Sequence, residues 1–424
     1  MQFQTSAVRY QLNFMSYALS ITQARHMPAF TGYLAQAQQN LILKQQDYRI
    51  WRYWQLENMW GNFRRLPDPI PHQNIMFTGF LAAQIAFYQA ASGSTAHNAP
   101  GSLAFRHPSG DRYSYDLPGL VDVLMRGHRQ SAFGLIACEP NWIYPLCNAI
   151  GTAAIRAYDG TSGTAHWAEI EAAFGHRLET EFISPRGRLV PARSSSTGLA
   201  VPPIGGAVMQ AFPCLFLNAT LPDIAERQWL LVRRRLERVG FRRALWPIDV
   251  GNYRFSRASS FAATAAAAVE LGDNDMAKRL LDGLDEACPM HVTAGVAHRA
   301  NASLWAHAVE MMARAGAADA LRSLASGRRQ AAPGPFVKVA AYPDVLVARA
   351  FARNGALDAV LYPGRAPGVH ALTIAGLSPG QAYRSNLEPD STIITAIIAD
   401  RHGDTTIRVP LAGRTVWQLR PVAL

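Results

Sequence analysis

Two of the chain's four cysteines, Cys138 and Cys147, stand nine residues apart in Gly134-Leu-Ile-Ala-Cys138-Glu139-Pro140-Asn141-Trp142-Ile-Tyr144-Pro145-Leu-Cys147-Asn148. Two thiols beside a carboxylate can divide acid and base work, provided their surroundings differ. A continuous helix from Cys138 to Cys147 would hold them roughly 13 Å apart along its axis, and Pro145 would break such a helix. The prolines instead predict an extended or turning segment from Cys138 to Tyr144 and a helix that begins at Pro145. Cys147 then falls in the first turn, where the helix dipole and free N–H groups favour a thiolate, and Cys138 can fold back beside it. The same residues also fit a structural pair or two core cysteines, with Glu139 capping a turn.

Other residues suggest walls for such a site. Trp51, Tyr53, Trp54, Trp60 and Phe63 crowd into thirteen positions, either as a core cluster between helices or as an apolar pocket lining. After the irregular Asp68-Pro-Ile-Pro stretch, a helix is expected over about 74–91, with Met76, Gly79, Phe80 and Gln84 on one face by three- and four-residue spacing. His72 reads as a surface loop residue. Trp246-Pro-Ile-Asp249-Val-Gly-Asn-Tyr253 is a polar loop that offers an acid, Asp249, and a phenol, Tyr253; a plain turn fits it equally.

Positioning these residues falls mainly to helices. Apolar periodicity predicts them over about 4–22, 30–46, 117–128, 145–157, 164–178, 204–218, 223–239, 257–271, 274–286, 302–314, 316–327 and 341–353. Their short connections suit antiparallel neighbours, and the number of pairs suggests an α/α toroid whose loops converge on a central pocket. From about residue 356 the pattern alternates, at 369–374, 393–399, 405–409 and 415–419, and predicts a small C-terminal antiparallel β appendage. The expected domains are 1–354, mainly α, and 355–424, β-rich.

The composition excludes several classes. With 424 residues, 49% hydrophobic and 17% charged, the chain is long and apolar enough for a large core. Its net charge is +11, but lysine occurs only three times and no nucleic-acid signature accompanies the arginines, so no nucleic-acid partner is expected. Four cysteines do not make a disulfide scaffold, and Cys214 and Cys288 read as core residues. No cluster has metal-ligand spacing, so no metal is expected. No apolar run of membrane-spanning length and no signal-peptide pattern is seen, so a cytoplasmic location with no membrane span is expected.

Asp68-Pro-Ile…Asn74-Ile-Met76-Phe-Thr-Gly79, Cys138-Glu-Pro-Asn…Cys147-Asn148 and the preceding helix with Tyr10 together resemble the linalool dehydratase/isomerase family over residues 8 to about 330. The resemblance implies an (α/α)6 barrel, homo-oligomeric rings and no metal or organic cofactor. It also implies reversible dehydration or isomerisation of allylic terpenoid alcohols, so a small apolar terpenoid substrate. Relatives carry out other terpenoid chemistry, including pericyclic ring closure. Cys138 and Cys147 match the family's thiol pair, Glu139 its adjacent glutamate, Met76 a pocket methionine and Tyr10 a pocket tyrosine. Two features depart from the pattern. Phe80 stands where the family has a histidine after its Tyr-x-Gly, and the family's helix carrying an aspartate and a tyrosine would fall ahead of Met1.

Dehydration needs an acid at the departing hydroxyl, a base at a neighbouring C–H and a dry pocket for developing allylic charge. Aromatic faces such as Trp51, Trp54, Trp142 and Tyr144 can stabilise that charge. The expected roles are base for Cys147 and proton donor for Cys138, with Glu139 orienting it or protonating the hydroxyl. The expected activity is therefore that of a cofactor-independent carbon–oxygen lyase or isomerase. The alternatives are a terpenoid cyclase or pericyclase using the same cavity, and a non-catalytic hydrophobic-ligand binder.

Overall fold

The computed structural model describes residues 7–203, 206–251, 255–327, 334–388 and 392–422. Helices dominate its first three quarters and antiparallel strands its last. The helices are α1 (Val8–His26), α2 (Gly32–Gln45), α3 (Tyr48–Trp51), α4 (Tyr53–Asn62), α5 (Ile75–Ser92), α6 (Leu117–Gln130), α7 (Pro145–Ser162), α8 (His166–Phe182), α9 (Val208–Leu217), α10 (Pro222–Val239), α11 (Phe241–Ala244), α12 (Ala258–Glu270), α13 (Asn274–Ala287), α14 (Leu304–Ala315) and α15 (Ala320–Ala325). Three two-stranded pieces interrupt them: β1 (Leu103–Arg106) with β2 (Arg112–Tyr115), β3 (Trp142–Ile143) with β4 (Arg193–Ser194), and β5 (Met290–Thr293) with β6 (Val296–Arg299).

Local chemistry accounts for many of these boundaries. Asp116 caps α6 by accepting from the Gly119 N–H at 2.8 Å, and Leu117, Leu120, Val121, Leu124, Met125 and His128 bury one face at three- and four-residue spacing. α7 begins at Pro145 and ends where Gly163 turns left-handed at φ 73°, which glycine tolerates without strain. The alanines of α12 are almost all buried, and their small size lets α9, α13 and α14 pack around it. α9 also packs on α7 and α10, and α7 on α6, α8 and α15. α5 is long and apolar enough to cross a membrane by length and composition, but 94% of it is buried within the protein, as in a core helix.

The chain divides into two compact units, one of Met1–Ile21, Leu41–Ala90 and Ser94–Arg328, the other of Thr22–Asn40, Ala91–Gly93 and Arg329–Leu424. The β-rich part of the second is larger than the small appendage expected. It holds β7 (Phe336–Ala340), β8 (Val345–Arg353), β9 (Ala356–Pro363), β10 (Gly368–Ala375), β11 (Ala382–Glu388), β12 (Thr392–Ile398), β13 (Thr405–Leu411) and β14 (Thr415–Pro421). They form a three-stranded sheet, β13-β10-β7, and a five-stranded sheet, β12-β11-β14-β9-β8. The helix expected at 341–353 is therefore β8. Its alanines and arginines favour a helix, but Val345, Val347, Ala350 and Ala352 are buried between more exposed neighbours, as a strand requires. Sequence-distant pieces complete this unit: the Val337 N–H donates to Ala29 O at 2.8 Å, and the Val347 N–H to the Tyr33 hydroxyl at 2.9 Å.

Candidate active site

The residues from Cys138 to Tyr144 form a tight turn ahead of α7. The Trp142 N–H donates to Glu139 O at 2.9 Å and the Cys138 N–H to Trp142 O at 2.7 Å. Pro140 and Asn141 occupy the middle of this turn, and Asn141 has φ 69°, the arrangement of a type II turn with Pro at its second position and Asn at its third. Asn148, fully buried in the first turns of α7, fastens the preceding loop segment to the helix. Its Oδ1 accepts from the Ile136 N–H at 2.8 Å, and its Nδ2 donates to Ile136 O at 2.9 Å and Tyr144 O at 3.0 Å.

This arrangement brings the thiols together. Cys138 Sγ and Cys147 Sγ are 2.9 Å apart, and both thiols are free and buried. The expectation that Pro145 starts a helix with Cys147 in its first turn holds. Burial pushes the Cys138 thiol well above its ordinary range, and the hydrogen bond and charge of Cys147, then Glu139, act in the same direction, against the Arg9 cation. Cys138 is thereby held as a neutral thiol near pH 7.

α5 starts beside the thiol loop, where the Ile75 N–H donates to Ala137 O at 3.2 Å, and it meets α7 almost backbone to backbone. A Cβ on Gly79 would lie 3.2 Å from Gly151 Cα and 2.8 Å from Ile75 Cγ1, and one on Gly151 would lie 2.8 Å from Ile75 Cδ1. Met76 follows Ile75, and its buried Sδ accepts from the Tyr10 hydroxyl at 3.1 Å. The Phe80 ring is 5.4 Å from that of Tyr10 and 6.1 Å from Phe14, which also packs on Phe212, Phe216 and Trp305. Burial raises the Tyr10 phenol well above its ordinary range, and both thiols add to the rise. On the loop, the Tyr144 hydroxyl hydrogen-bonds the Glu139 carboxylate. Burial raises Glu139, with Arg9 and Tyr144 opposing.

Several expected wall residues lie elsewhere. Trp51 is fully buried but packs on Tyr48, Phe105, His107 and Tyr113, and its indole donates to Gln46 O at 3.1 Å. Trp142 sits in a two-residue strand with 38% of its surface exposed. Of the five clustered rings, Trp51, Tyr53 and Trp54 are buried, whereas Trp60 and Phe63 face solvent. Asp249 ties a loop to α14, accepting from the Ser303 N–H at 2.7 Å and the Ser259 and Ser303 hydroxyls at 2.7 and 2.8 Å. Three of its roughly four acceptor sites are thus engaged in holding the fold. Tyr253 lies outside the described residues. His72 is exposed and lines a cavity of about 400 Å³ bounded by Asn74, Ile136, Ala137 and Asn141, to which neither thiol belongs. Among the described residues, no group of three or more His, Cys, Asp or Glu is placed to hold a metal ion.

Sequence reasoning missed Arg9 and Glu57, and it offered Tyr53 only as one ring of the aromatic cluster. Arg9 is almost wholly buried, with its guanidinium carbon 3.7 Å from the Tyr53 ring centre, 4.6 Å from that of Tyr10, and Nη2 3.8 Å from Met76 Sδ. The Tyr53 hydroxyl donates to Asn74 Oδ1 at 3.1 Å. Glu57, one turn beyond Tyr53 on α4, is raised to about 7 by burial and then by the Glu139 charge, with Arg9 opposing. The available signal was the four-residue spacing of Tyr53, Glu57 and Gly61, which places all three on one helix face; the aromatic crowding around them read as core.

The sequence profile of the linalool dehydratase/isomerase family matches residues 9–305. Among solved structures, a β-L-arabinofuranosidase of glycoside-hydrolase family 127 from Geobacillus stearothermophilus aligns over 100% of this chain and 72% of its own, at 14% identity and a TM-score of 0.33. A superposition that loose carries no argument about fold or function.

Proposed function

The chain belongs to the linalool dehydratase/isomerase family, and from that premise we propose that it dehydrates or isomerises allylic terpenoid alcohols without a cofactor, through acid–base chemistry centred on Cys138 and Cys147. Membership itself implies dehydratase/isomerase chemistry; the terpenoid alcohol and the division of roles are the reading offered here. Its carrying observation is the contact of two free, buried thiols at 2.9 Å beside Glu139. Cys147 takes the C–H proton of the substrate. The departing hydroxyl receives its proton from the Cys138–Glu139 side, where a neutral thiol and a carboxyl of raised affinity for protons both lie. The packed rings of Tyr10, Phe14 and Phe80 supply apolar surface for developing allylic charge. In this reading the helices of the first unit close as an (α/α)6 barrel and the protein works as a homo-oligomer.

Phe80 favours a second reading, a terpenoid cyclase or pericyclase. Its ring packs on Tyr10, where the family pattern has a histidine, and so removes a polar group from the place where a hydroxyl would be handled. Gas-chromatographic analysis of products from linalool, geraniol, nerolidol and simpler alkenols separates the two readings, with and without iodoacetamide. The lyase reading expects alkene formation that alkylation abolishes. Cyclised products formed with both thiols alkylated would overturn it.

A further inference from the structure

Three positions on α4 are spaced by four residues and face one way. Tyr53 lies under the Arg9 guanidinium, 3.7 Å from ring centre to Cζ. Gly61 abuts the thiol loop so closely that a Cβ there would lie 2.2 Å from Pro140 Cβ, and its carbonyl accepts from Asn141 Nδ2 at 3.0 Å. Glu57 sits one turn from each. Its carboxyl is close enough to the loop and to α1 to feel the charges of both Glu139 and Arg9. Its Oε2 is buried and has no hydrogen-bond partner among the described residues. A buried carboxyl oxygen left bare costs free energy that a structural role would recover with a donor. Here that oxygen keeps its full capacity to bond a group brought into the site.

We propose that Glu57 is a further catalytic residue of this site, the carboxylic acid that protonates the departing hydroxyl, with Glu139 as its ionisable partner and Arg9 as the cation that positions the pair. The assignment rests on the dehydratase reading and refines it: Glu57 takes the place of Cys138 and Glu139 as the acid at the hydroxyl, which leaves the thiols only the C–H proton. The proton passes from Glu57 to the substrate oxygen, and the C–O electron pair leaves with water. The C–H electron pair becomes the new double bond, and that proton goes to the Cys147 thiolate sulfur. Before the next turnover it returns to the Glu57 carboxylate, so one proton circulates and nothing is oxidised.

The groups facing Glu57 are Arg9 from α1, Tyr53 from its own helix, and Glu139 with its partners Tyr144 and Cys138 from the loop and the start of α7. Burial and Glu139 hold Glu57 protonated up to about pH 7, so an acid at this position loses its proton, and the enzyme its rate, as pH rises further. The test uses the purified full chain, E57Q and E57D, an allylic alkenol, and the matching allylic acetate ester, whose leaving group departs without a proton. With the alcohol, E57Q is expected to lower kcat at least ~100-fold, the scale of general-acid catalysis. It should also remove the fall in kcat/KM above about pH 7. With the ester, E57Q should lose less than ~10-fold. E57D should keep the alkaline fall at a reduced rate. An E57Q rate on the alcohol within ~10-fold of the wild type, or an equal loss on both substrates, overturns the role of Glu57 while the dehydratase reading stands. Wild-type protein that dehydrates no alkenol overturns both.

Discussion

Asn148 couples the two halves of the thiol centre, and its replacement by alanine measures how much that coupling matters. The change removes three hydrogen bonds from a fully buried side chain, to the Ile136 N–H, Ile136 O and Tyr144 O. Tyr144 O keeps the Asn148 backbone N–H as a donor at 3.3 Å, so the uncompensated groups are the N–H and C=O of Ile136. Each buried orphan costs about 1–3 kcal/mol. Ile136 is only half-buried, and water recovers part of that, so Asn148→Ala is expected to lose about 2–4 kcal/mol in urea unfolding. The larger consequence is geometric, because the segment leading into Cys138 is no longer tied to the helix bearing Cys147. Phenylarsine oxide, which binds only where two thiols can reach one arsenic, reports this without any assumption about substrate. The wild type should bind one equivalent tightly, and Asn148→Ala at least ~10-fold more weakly, the equivalent of 1.4 kcal/mol. Unchanged unfolding together with unchanged arsenical affinity would refute the coupling.

Cys147→Ala should abolish alkenol turnover while circular dichroism and the unfolding midpoint stay close to wild type; an active variant would remove Cys147 from the chemistry. Gly79→Val places branched carbons where a Cβ already meets Gly151 Cα at 3.2 Å. It should cost about 1–3 kcal/mol in thermal unfolding and loosen arsenical binding by prising α5 from α7. Trp51→Ala should cost about 3–5 kcal/mol and leave arsenical binding intact, because Trp51 belongs to a separate cluster. Glu270 is pushed up to about 7 by burial, against hydrogen bonds from Leu321 N, Arg322 N and Asn218 Nδ2. Its folded form holds a proton that the unfolded chain releases above 4.5. Its contribution is therefore full below that pH and is lost as pH rises through about 7. Relative to wild type, Glu270→Gln should gain up to about 3 kcal/mol between pH 5 and 8 in paired urea titrations. His128, pushed down to about 4 by burial, acts oppositely in both proteins and cancels in the difference. A flat difference would refute the raised value.

The prolines and cysteines of one short stretch determined, without any coordinates, that a turn precedes a helix at Pro145 and that Cys147 opens it, because proline's fixed φ and missing N–H act locally. Most helix positions were legible for a similar reason, since amphipathic periodicity is carried by neighbouring residues; the short α3, α4 and α11 were not. β8 was not, because alanine and arginine favour a helix in isolation and only pairing with β9 made a strand of them. The partners of the thiol centre were also a matter of tertiary structure. Whether a tryptophan lines a site, fills a core or faces solvent depends on what packs over it: Trp51 is buried in a separate aromatic cluster, and Trp142 is part-exposed on the thiol turn itself. Arg9 and Glu57 carry no motif; they belong to the site because α1 and α4 converge on the turn at Cys138, where a buried charge changes the proton affinity of every group around it. The sequence alone marked the two thiols as able to meet, and the fold brings them to 2.9 Å. The close approach of α5 and α7 at Gly79 and Gly151, and the tie made by Asn148, decide what surrounds that pair.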